Sequence, residues 1–277
     1  MLIGQDALKR EIEPLILDNR FPRVVTVVGR YGYGKSTFVK YCANKLNVSN
    51  VMTISTIDDV RDLIVTAPTF NSNTIAWVTS FERLNFRAKE TLLKLCEDIP
   101  KYLYIFIEVT NISLYEDRYI NRSRVFTLQP YTKSELLDII KSIKSDVTQS
   151  EIDDVMSMFG SPADFKFALD YGASNLKQYM NKVMSNIFMA QSFNLLKICD
   201  SLNTKADDGK LDFITFFRAI SNLSYRTYLK TNDLQYRKLF ICANDVCSEL
   251  TNVSKPNKRF IFDRFVFSLK EGVNYDD

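Results

Sequence analysis

A glycine-rich segment constrains the fold of this 277-residue chain more than any other feature. The β-branched run at residues 24–28 leads into Gly29, four intervening residues and then Gly34-Lys35-Ser36, the pattern G-x-x-x-x-G-K-S. Glycines let the chain turn so that successive N–H groups converge on one anion, and a following helix presents its positive N-terminal end to that anion. Because strand, loop and helix follow in the required order, the segment predicts a phosphate-binding loop rather than a chance turn.

This loop supplies the first candidate site residues. Lys35 is expected to reach the outer phosphates of a nucleoside triphosphate, and the Ser36 hydroxyl to bind Mg²⁺. The predicted nucleotide-binding residues of the segment are Gly29, Arg30, Tyr31, Gly32, Tyr33, Gly34, Lys35, Ser36 and Thr37. The pattern therefore predicts binding of ATP or ADP with Mg²⁺, whereas hydrolysis needs further groups.

Composition excludes several other kinds of site. The chain has no histidine, which removes any mechanism based on an imidazole. Its five cysteines are scattered without a C-x-x-C pair, which argues against a disulfide framework or a zinc site. With a net charge of +3, any contact with nucleic acid must come from local basic clusters. The N-terminus lacks a leader pattern and the apolar runs are short, so we expect a cytoplasmic protein with buried thiols and no membrane partner.

Strand and helix patterns alternate up to Pro130, and only helical patterns follow. The predicted strands are residues 24–28, 51–55, 74–79, 102–110 and 125–128, and the predicted helices among them are residues 6–17, 37–46, 58–65 and 87–96. This alternation predicts an α/β fold with a parallel sheet covered on both faces and the nucleotide at the carboxyl ends of the strands. The predicted domains are residues 1–130, 131–175 and 176–277.

Residues 1–175 contain a series of short motifs that are typical of one protein family when they occur in this order. They are Ile3-Gly4-Gln5, Asn19-Arg20-Phe21-Pro22, the phosphate loop, the helical stretch 84–100, Thr110-Asn111, Asn121-Arg122-Ser123-Arg124-Val125, Gly160-Ser161-Pro162 and Ala168-Leu169. This set resembles AAA+ clamp-loader subunits, and most of all the delta-prime type of subunit of a bacterial or phage DNA polymerase III clamp loader. The resemblance implies an AAA+ P-loop sheet domain, a small helical lid and a helical collar, although the last hundred residues match only in helical character.

The resemblance also implies roles for individual residues and partners. Asn111 corresponds to the first sensor of bound nucleotide, and Arg124 to an arginine that reaches into a neighbouring subunit's nucleotide site. A planar, permanently charged guanidinium suits stabilisation of a transferring phosphoryl group. The implied partners are other AAA+ clamp-loader subunits, a sliding clamp and primer–template DNA. The alternative for Arg124 is a basic residue of a solvent-exposed loop.

Two departures from the family pattern bear on hydrolysis. Thr79-Ser80 stands where the family has Asp-Glu, and neither residue carries the charge needed to bind Mg²⁺ or to polarise water. The second-sensor arginine is also absent, since Ala163 and Asp164 occupy its region and Lys166 is a weak substitute. These departures predict a subunit that binds ATP but hydrolyses it poorly or not at all.

Basic residues cluster around the stretch 84–100. Arg83, Arg87 and Lys89, with Lys94 nearby, correspond in the family to a region that lines a central DNA chamber. Contacts of these side chains with phosphates would give DNA binding that is independent of sequence and sensitive to salt. The alternative is an ordinary solvated helix face.

Two other functions remain open at this point. One is a self-contained AAA+ ATPase, such as a helicase loader or a homo-oligomeric clamp-loader ATPase, for which Glu82 is the adjacent carboxylate. The other is a scaffold whose nucleotide is structural. Abundant Asn, Lys, Ile and Tyr are compatible with a phage source.

Overall fold

The computed structural model describes residues 2–79, 81–189, 213–252 and 257–270. The chain divides into two compact units, Met1–Ile139 and Ile140–Asp277. In the described ranges, no helix combines the length and apolar character needed to cross a bilayer.

Unit 1 is built on a five-stranded parallel sheet with the strand order β2-β3-β4-β1-β5. The strands are β1 (Val24–Val28), β2 (Asn50–Ile54), β3 (Thr74–Val78), β4 (Leu103–Val109) and β5 (Arg124–Thr127). The predicted α/β class is confirmed, and each strand end lies within one residue of its expected position. All five residues of β1 are buried, as expected for a central strand covered on both faces.

Helices flank and connect the strands of the sheet, and some of them begin at side-chain caps. The first six helices are α1 (Asp6–Leu17), α2 (Lys35–Lys45), α3 (Ile57–Thr66), α4 (Phe86–Glu97), α5 (Asp117–Ile120) and α6 (Lys133–Ile143). Thr56 and Asp59 form a capping box at α3, and the Asn85 side chain accepts from the Ala88 N–H at the start of α4. Helix α2 begins two residues earlier than predicted, directly at Lys35.

Separate apolar layers cover the two faces of the sheet. On one face, Val27 and Phe106 belong to the core that includes Phe38 of α2. On the other, Val78 belongs to the core that includes Leu92 of α4. Because side chains alternate along a strand, the residues of β4 two positions apart share a face, and the even-numbered ones face α2.

Unit 2 is helical throughout its described part, as predicted for the chain after residue 133. Its helices are α7 (Gln149–Met158), α8 (Phe165–Tyr171), α9 (Ala173–Met189), α10 (Phe213–Thr231), α11 (Leu234–Asn252) and α12 (Lys258–Lys270). Thr148 and Glu151 form a capping box at α7. Buried phenylalanines from α10 and α12 contact one another in the core, namely Phe217, Phe262 and Phe265.

Helix α7 packs against both α9 and α10 within unit 2. These contacts link helices on both sides of the predicted lid–collar boundary at residues 175/176. The three predicted domains therefore stay a prediction.

Candidate phosphate-binding site

The glycine-rich loop lies at the carboxyl edge of the sheet, between β1 and α2. Gly29 is buried, and its N–H donates to the carbonyl oxygen of Val109 at the end of β4, at 3.0 Å. On the other side of β1, the Leu128 N–H donates to the carbonyl oxygen of Val28 at 2.8 Å. The loop therefore starts from the middle of the sheet, where parallel α/β sheets bind their ligands.

Two glycines give the loop its shape. Gly32 and Gly34 have φ angles of 78° and 87°, in the left-handed region that favours glycine. A β-carbon at Gly34 would also lie 2.4 Å from the hydroxyl oxygen of Tyr131. Tyr131 is thus a loop neighbour that the sequence did not indicate, since nothing in the spacing of residues 29–36 points to a residue after β5.

Lys35 begins α2 and folds its side chain over the loop. Its Nζ donates to the carbonyl oxygens of Gly29 at 2.6 Å and Arg30 at 3.3 Å. Burial lowers the pKa of Lys35, while the nearby carboxylates of Glu108 and Glu82 partly oppose that effect. The amine is therefore held where successive loop groups converge.

The first turn of α2 leaves its N–H groups open to an anion. Gly34 occupies the N-cap position and provides no side-chain cap, so no hydroxyl or carboxylate of that residue competes for these N–H groups. Ser36 is exposed on this turn and Thr37 is half-buried. Among the other predicted loop residues, Arg30 and Tyr31 are exposed and Tyr33 is half-buried.

The end of β3 carries no carboxylate in the described residues. Thr79 continues the strand ladder, with its N–H donating to the Ile54 carbonyl oxygen at 3.1 Å. Ser80, the second residue of the departure predicted from sequence, lies outside the described residues.

Glu82 instead brings a carboxylate to this edge from the short 3-10 turn Phe81–Arg83. Its Oε1 accepts hydrogen bonds from the N–H and the hydroxyl of Thr110, at 2.6 and 2.7 Å. Thr110 follows Val109, whose carbonyl oxygen binds Gly29. Glu82 is therefore fixed near the phosphate loop.

The predicted sensor residue Asn111 lies just beyond β4 at the same edge. Its Oδ1 accepts from the N–H of Ser113 at 3.0 Å and from the Ser113 hydroxyl at 2.9 Å. These bonds orient the carboxamide group. Its role as a nucleotide sensor stays a prediction.

Arg124 lies at the amino ends of the strands, opposite to the end of the sheet that carries the phosphate loop. Strand β5 runs parallel to β1, with Arg124 opposite Val25 and Thr127 opposite Val28. Three strand residues, about 10 Å, thus separate Arg124 from the end that carries the loop. The guanidinium is 57% exposed and pairs with Glu11 of α1, with Nη2 and Oε1 2.6 Å apart.

The residue before Arg124 anchors this part of the chain to the core. Ser123 donates from its hydroxyl to the Tyr119 carbonyl oxygen at 2.9 Å, and that hydroxyl also lies 2.8 Å from the hydroxyl of buried Thr26 in a hydrogen bond. Arg122 pairs with Glu97 at 2.8 Å. The serine thus fixes the backbone from which Arg124 projects, whereas Arg122 contacts the end of α4.

The predicted DNA-contacting residues lie in or next to α4. Arg83 and Arg87 are exposed, while Lys89 is half-buried and places its Nζ 4.8 Å from the centre of the Phe81 ring. Phe86, at the start of α4, is 70% exposed. Arg83 thus lies on the turn before α4, Arg87 and Lys89 lie on α4 itself, and DNA contact stays a prediction.

In unit 2, Asp164 occupies the region of the missing second sensor. It is 3% exposed and accepts hydrogen bonds from the Thr215 hydroxyl at 3.1 Å and from Arg218 Nη1 at 3.2 Å, both on α10. Asp164 therefore has a structural role in the helical core, whereas Ala163 and Lys166 are exposed.

The sheet order, the flanking helices and the glycine-rich loop together define an AAA+ P-loop fold followed by a helical region. No protein-family model matches the chain, and the curated proteins contain no match either. Solved structures do match. The RuvB Holliday junction branch migration motor of Thermotoga maritima is 21% identical with a TM-score of 0.53, covering 82% of this chain and 77% of that one.

A second solved structure, a DNA polymerase III gamma subunit-related protein of Thermotoga maritima, matches over nearly the whole chain. It covers 96% of this chain and 98% of its own, at 15% identity and a TM-score of 0.53. At these identities the likeness is one of fold. It extends through both units of the present chain.

Proposed function

We propose that this chain is a delta-prime-like subunit of a DNA-replication clamp loader, which binds ATP, hydrolyses it poorly and supplies Arg124 to a neighbouring subunit. The observation that carries the proposal is the position of Arg124 at the amino edge of the sheet, away from the chain's own phosphate loop. An arginine placed there and 57% exposed suits a site on another molecule. The full-length likeness to the polymerase III-related protein supports the same class of complex.

Nucleotide binding follows from the loop. The α2 N-terminus and the glycine-rich backbone would hold the phosphates, and Lys35 would exchange its bonds to Gly29 and Arg30 for bonds to the outer phosphates. The Ser36 hydroxyl, exposed on the first turn, suits Mg²⁺. Mg²⁺ would screen the phosphate charge.

Poor hydrolysis follows from the end of β3. Thr79 cannot remove or polarise a proton of water at neutral pH as a carboxylate can. Glu82 is held by Thr110 through one oxygen, which orients its carboxylate. That contact favours a second candidate function, a self-contained ATPase in which Glu82 positions the attacking water.

One experiment separates these two functions. The purified chain is titrated with ATP and assayed for turnover with and without primer–template DNA, beside the Glu82→Gln variant. The clamp-loader proposal predicts ATP binding with little turnover in either protein. Robust turnover by the isolated chain that Glu82→Gln abolishes would establish the self-contained ATPase instead.

The proposed partners follow from the two edges and α4. Neighbouring AAA+ subunits would receive Arg124, a sliding clamp would be the substrate of the assembled complex, and primer–template DNA would contact Arg83, Arg87 and Lys89. Phosphate contacts of that kind weaken steeply as salt rises. The helices of residues 176–277 would form the collar that holds the subunits together.

A further inference from the structure

Glu108, the penultimate residue of β4, is half-buried, and its carboxyl group has no evident structural role. Its Oε1 is buried and has no hydrogen-bond partner, and the same holds for Nε1 of Trp77 on the adjacent strand β3. A buried polar atom left unpaired costs about 1–3 kcal/mol, so a group that binds there would relieve that cost. The position of Glu108 indicates which group this is.

The strand register places Glu108 beside the residue that lacks a carboxylate. Glu108 pairs with Val27 of β1, two residues before the phosphate loop. On its other side, Val78 pairs with Ile107, so the next pair in the same register is Thr79 with Glu108. Adjacent strands are about 5 Å apart, and paired residues of parallel strands point to the same face. The Glu108 side chain thus lies on the strand next to Thr79, on the face of the sheet that α2 covers.

The charge of Lys35 acts on Glu108, which agrees with a position of Glu108 close to the phosphate loop. Burial raises the pKa of Glu108, and the nearby ammonium group of Lys35 partly opposes that effect. The indole of Trp77 also lowers this pKa, although its Nε1 does not reach hydrogen-bond geometry. Glu108 reciprocally favours the charged form of Lys35. The two side chains do not form a direct ion pair among the described contacts, so Glu108 retains an oxygen for another cation.

We propose that Glu108 binds the Mg²⁺ of the bound nucleotide together with the Ser36 hydroxyl, and so replaces across the sheet the carboxylate missing at Thr79. This inference rests on the proposed nucleotide binding. Mg²⁺ in nucleotide sites commonly takes one or two carboxylates beside phosphate oxygens and water, so one glutamate suffices. The subunit would then retain Mg²⁺-dependent ATP binding despite the loss at β3.

The test measures ATP affinity of the full chain by calorimetry, with excess Mg²⁺ and with EDTA. Wild-type protein should bind ATP at least about tenfold more tightly with Mg²⁺. Glu108→Gln, which keeps the shape but not the charge, should abolish that ratio while retaining affinity in EDTA. The double variant Thr79→Asp/Glu108→Gln should restore the ratio, because it returns a carboxylate to the adjacent strand.

A second readout follows the metal itself. Mn²⁺ added with ADP should bind the wild-type protein, detected by electron paramagnetic resonance, and should bind Glu108→Gln about tenfold more weakly. Asp62→Asn, which removes one exposed carboxylate of α3, is the control for loss of a negative charge and should keep the wild-type behaviour. Glu108→Asp, a smaller change, repeats the test should Glu108→Gln fail to fold, and should weaken the Mg²⁺ effect.

The outcomes separate the two proposals. A wild-type Mg²⁺ ratio retained in Glu108→Gln, or no Mg²⁺ effect in the wild-type protein, overturns the role of Glu108 and leaves nucleotide binding standing. Absence of ATP binding by the wild-type protein under both conditions overturns both proposals.

Discussion

Gly34 and Tyr131 show how single residues set the shape of the phosphate loop. Gly34 has a φ angle of 87°, and the space beside its α-carbon is occupied by the Tyr131 hydroxyl. A side chain at residue 34 would meet both backbone strain and a direct clash. The space available to a side chain at residue 34 is therefore limited by a tyrosine that is almost a hundred residues away in sequence.

The first prediction concerns Gly34→Ala. A left-handed conformation costs a residue other than glycine about 1–2 kcal/mol, and the clash with Tyr131 adds to this. ATP affinity should therefore fall by at least about tenfold, as measured by calorimetry. Gly160→Ala is the matched control, because a β-carbon there meets nothing within 4 Å. Wild-type affinity in Gly34→Ala would contradict this account of the loop.

At the scale of secondary structure, the turn before α8 is tied to α10 by a buried charge. Asp164 pairs with Arg218 and accepts from Thr215, and little of the carboxylate is exposed. A buried charge whose partner is removed is left uncompensated, and this is more costly than loss of a surface pair. The segment that resembles a nucleotide sensor thus serves the packing of unit 2.

The second prediction concerns this pair. Asp164→Ala should lower the free energy of unfolding by about 1–3 kcal/mol, because the Thr215 hydroxyl and the partly buried guanidinium of Arg218 lose a buried hydrogen-bond acceptor. Asp170→Ala, an exposed aspartate of α8, should change it by less than about 0.5 kcal/mol. Urea unfolding followed by circular dichroism measures both. Equal effects of the two substitutions would mean that the Asp164 pair contributes little.

Local patterns predicted the elements of the sheet well, because the central strands are short apolar runs between turn residues. The phosphate loop was likewise evident, since all its essential groups are contiguous. The position of Glu108 opposite Thr79 could not be predicted, because it depends on the register between two strands that the sequence does not specify. The contacts of Tyr131 and Asp164 join residues that are far apart in sequence, so no local sequence pattern predicts them.

At the scale of the whole chain, the reactivity of buried thiols measures unfolding of unit 1. Cys42 packs on the α2 face of the sheet and Cys96 on the α4 face. Burial raises the pKa of each thiol to about 12 from 9.0. The expectation of buried thiols is confirmed for these two residues.

The third prediction concerns their reactivity. At pH 8 both should react with iodoacetamide far more slowly than in denatured protein, because a thiol with a pKa near 12 supplies almost no thiolate. Unfolding restores a pKa near 9.0, so these thiols should also lower stability as pH rises from about 9 towards 12. Mass spectrometry of the alkylated chain measures the rates. Reaction of either thiol at the denatured rate would contradict its burial.

The sheet as a whole separates two functions by its two edges. The carboxyl edge carries the phosphate loop with Lys35, and the amino edge carries Arg124. Under the proposed function, the chain would bind one nucleotide itself and would act on another only in an assembly. The pairing of Arg124 with Glu11 offers a way to separate these roles by mutation.

The most direct test of the central proposal is the ATPase activity of the assembled complex, isolated with its native partners, with Arg124→Ala and Glu11→Ala in this chain. The site served by Arg124 should lose turnover by about 10³-fold in Arg124→Ala, while ATP binding by this chain is unchanged. Glu11→Ala, which removes the same ion pair but leaves the guanidinium, should keep the activity. Equal losses in the two variants, or parallel loss of this chain's own ATP binding, would show that Arg124 is structural.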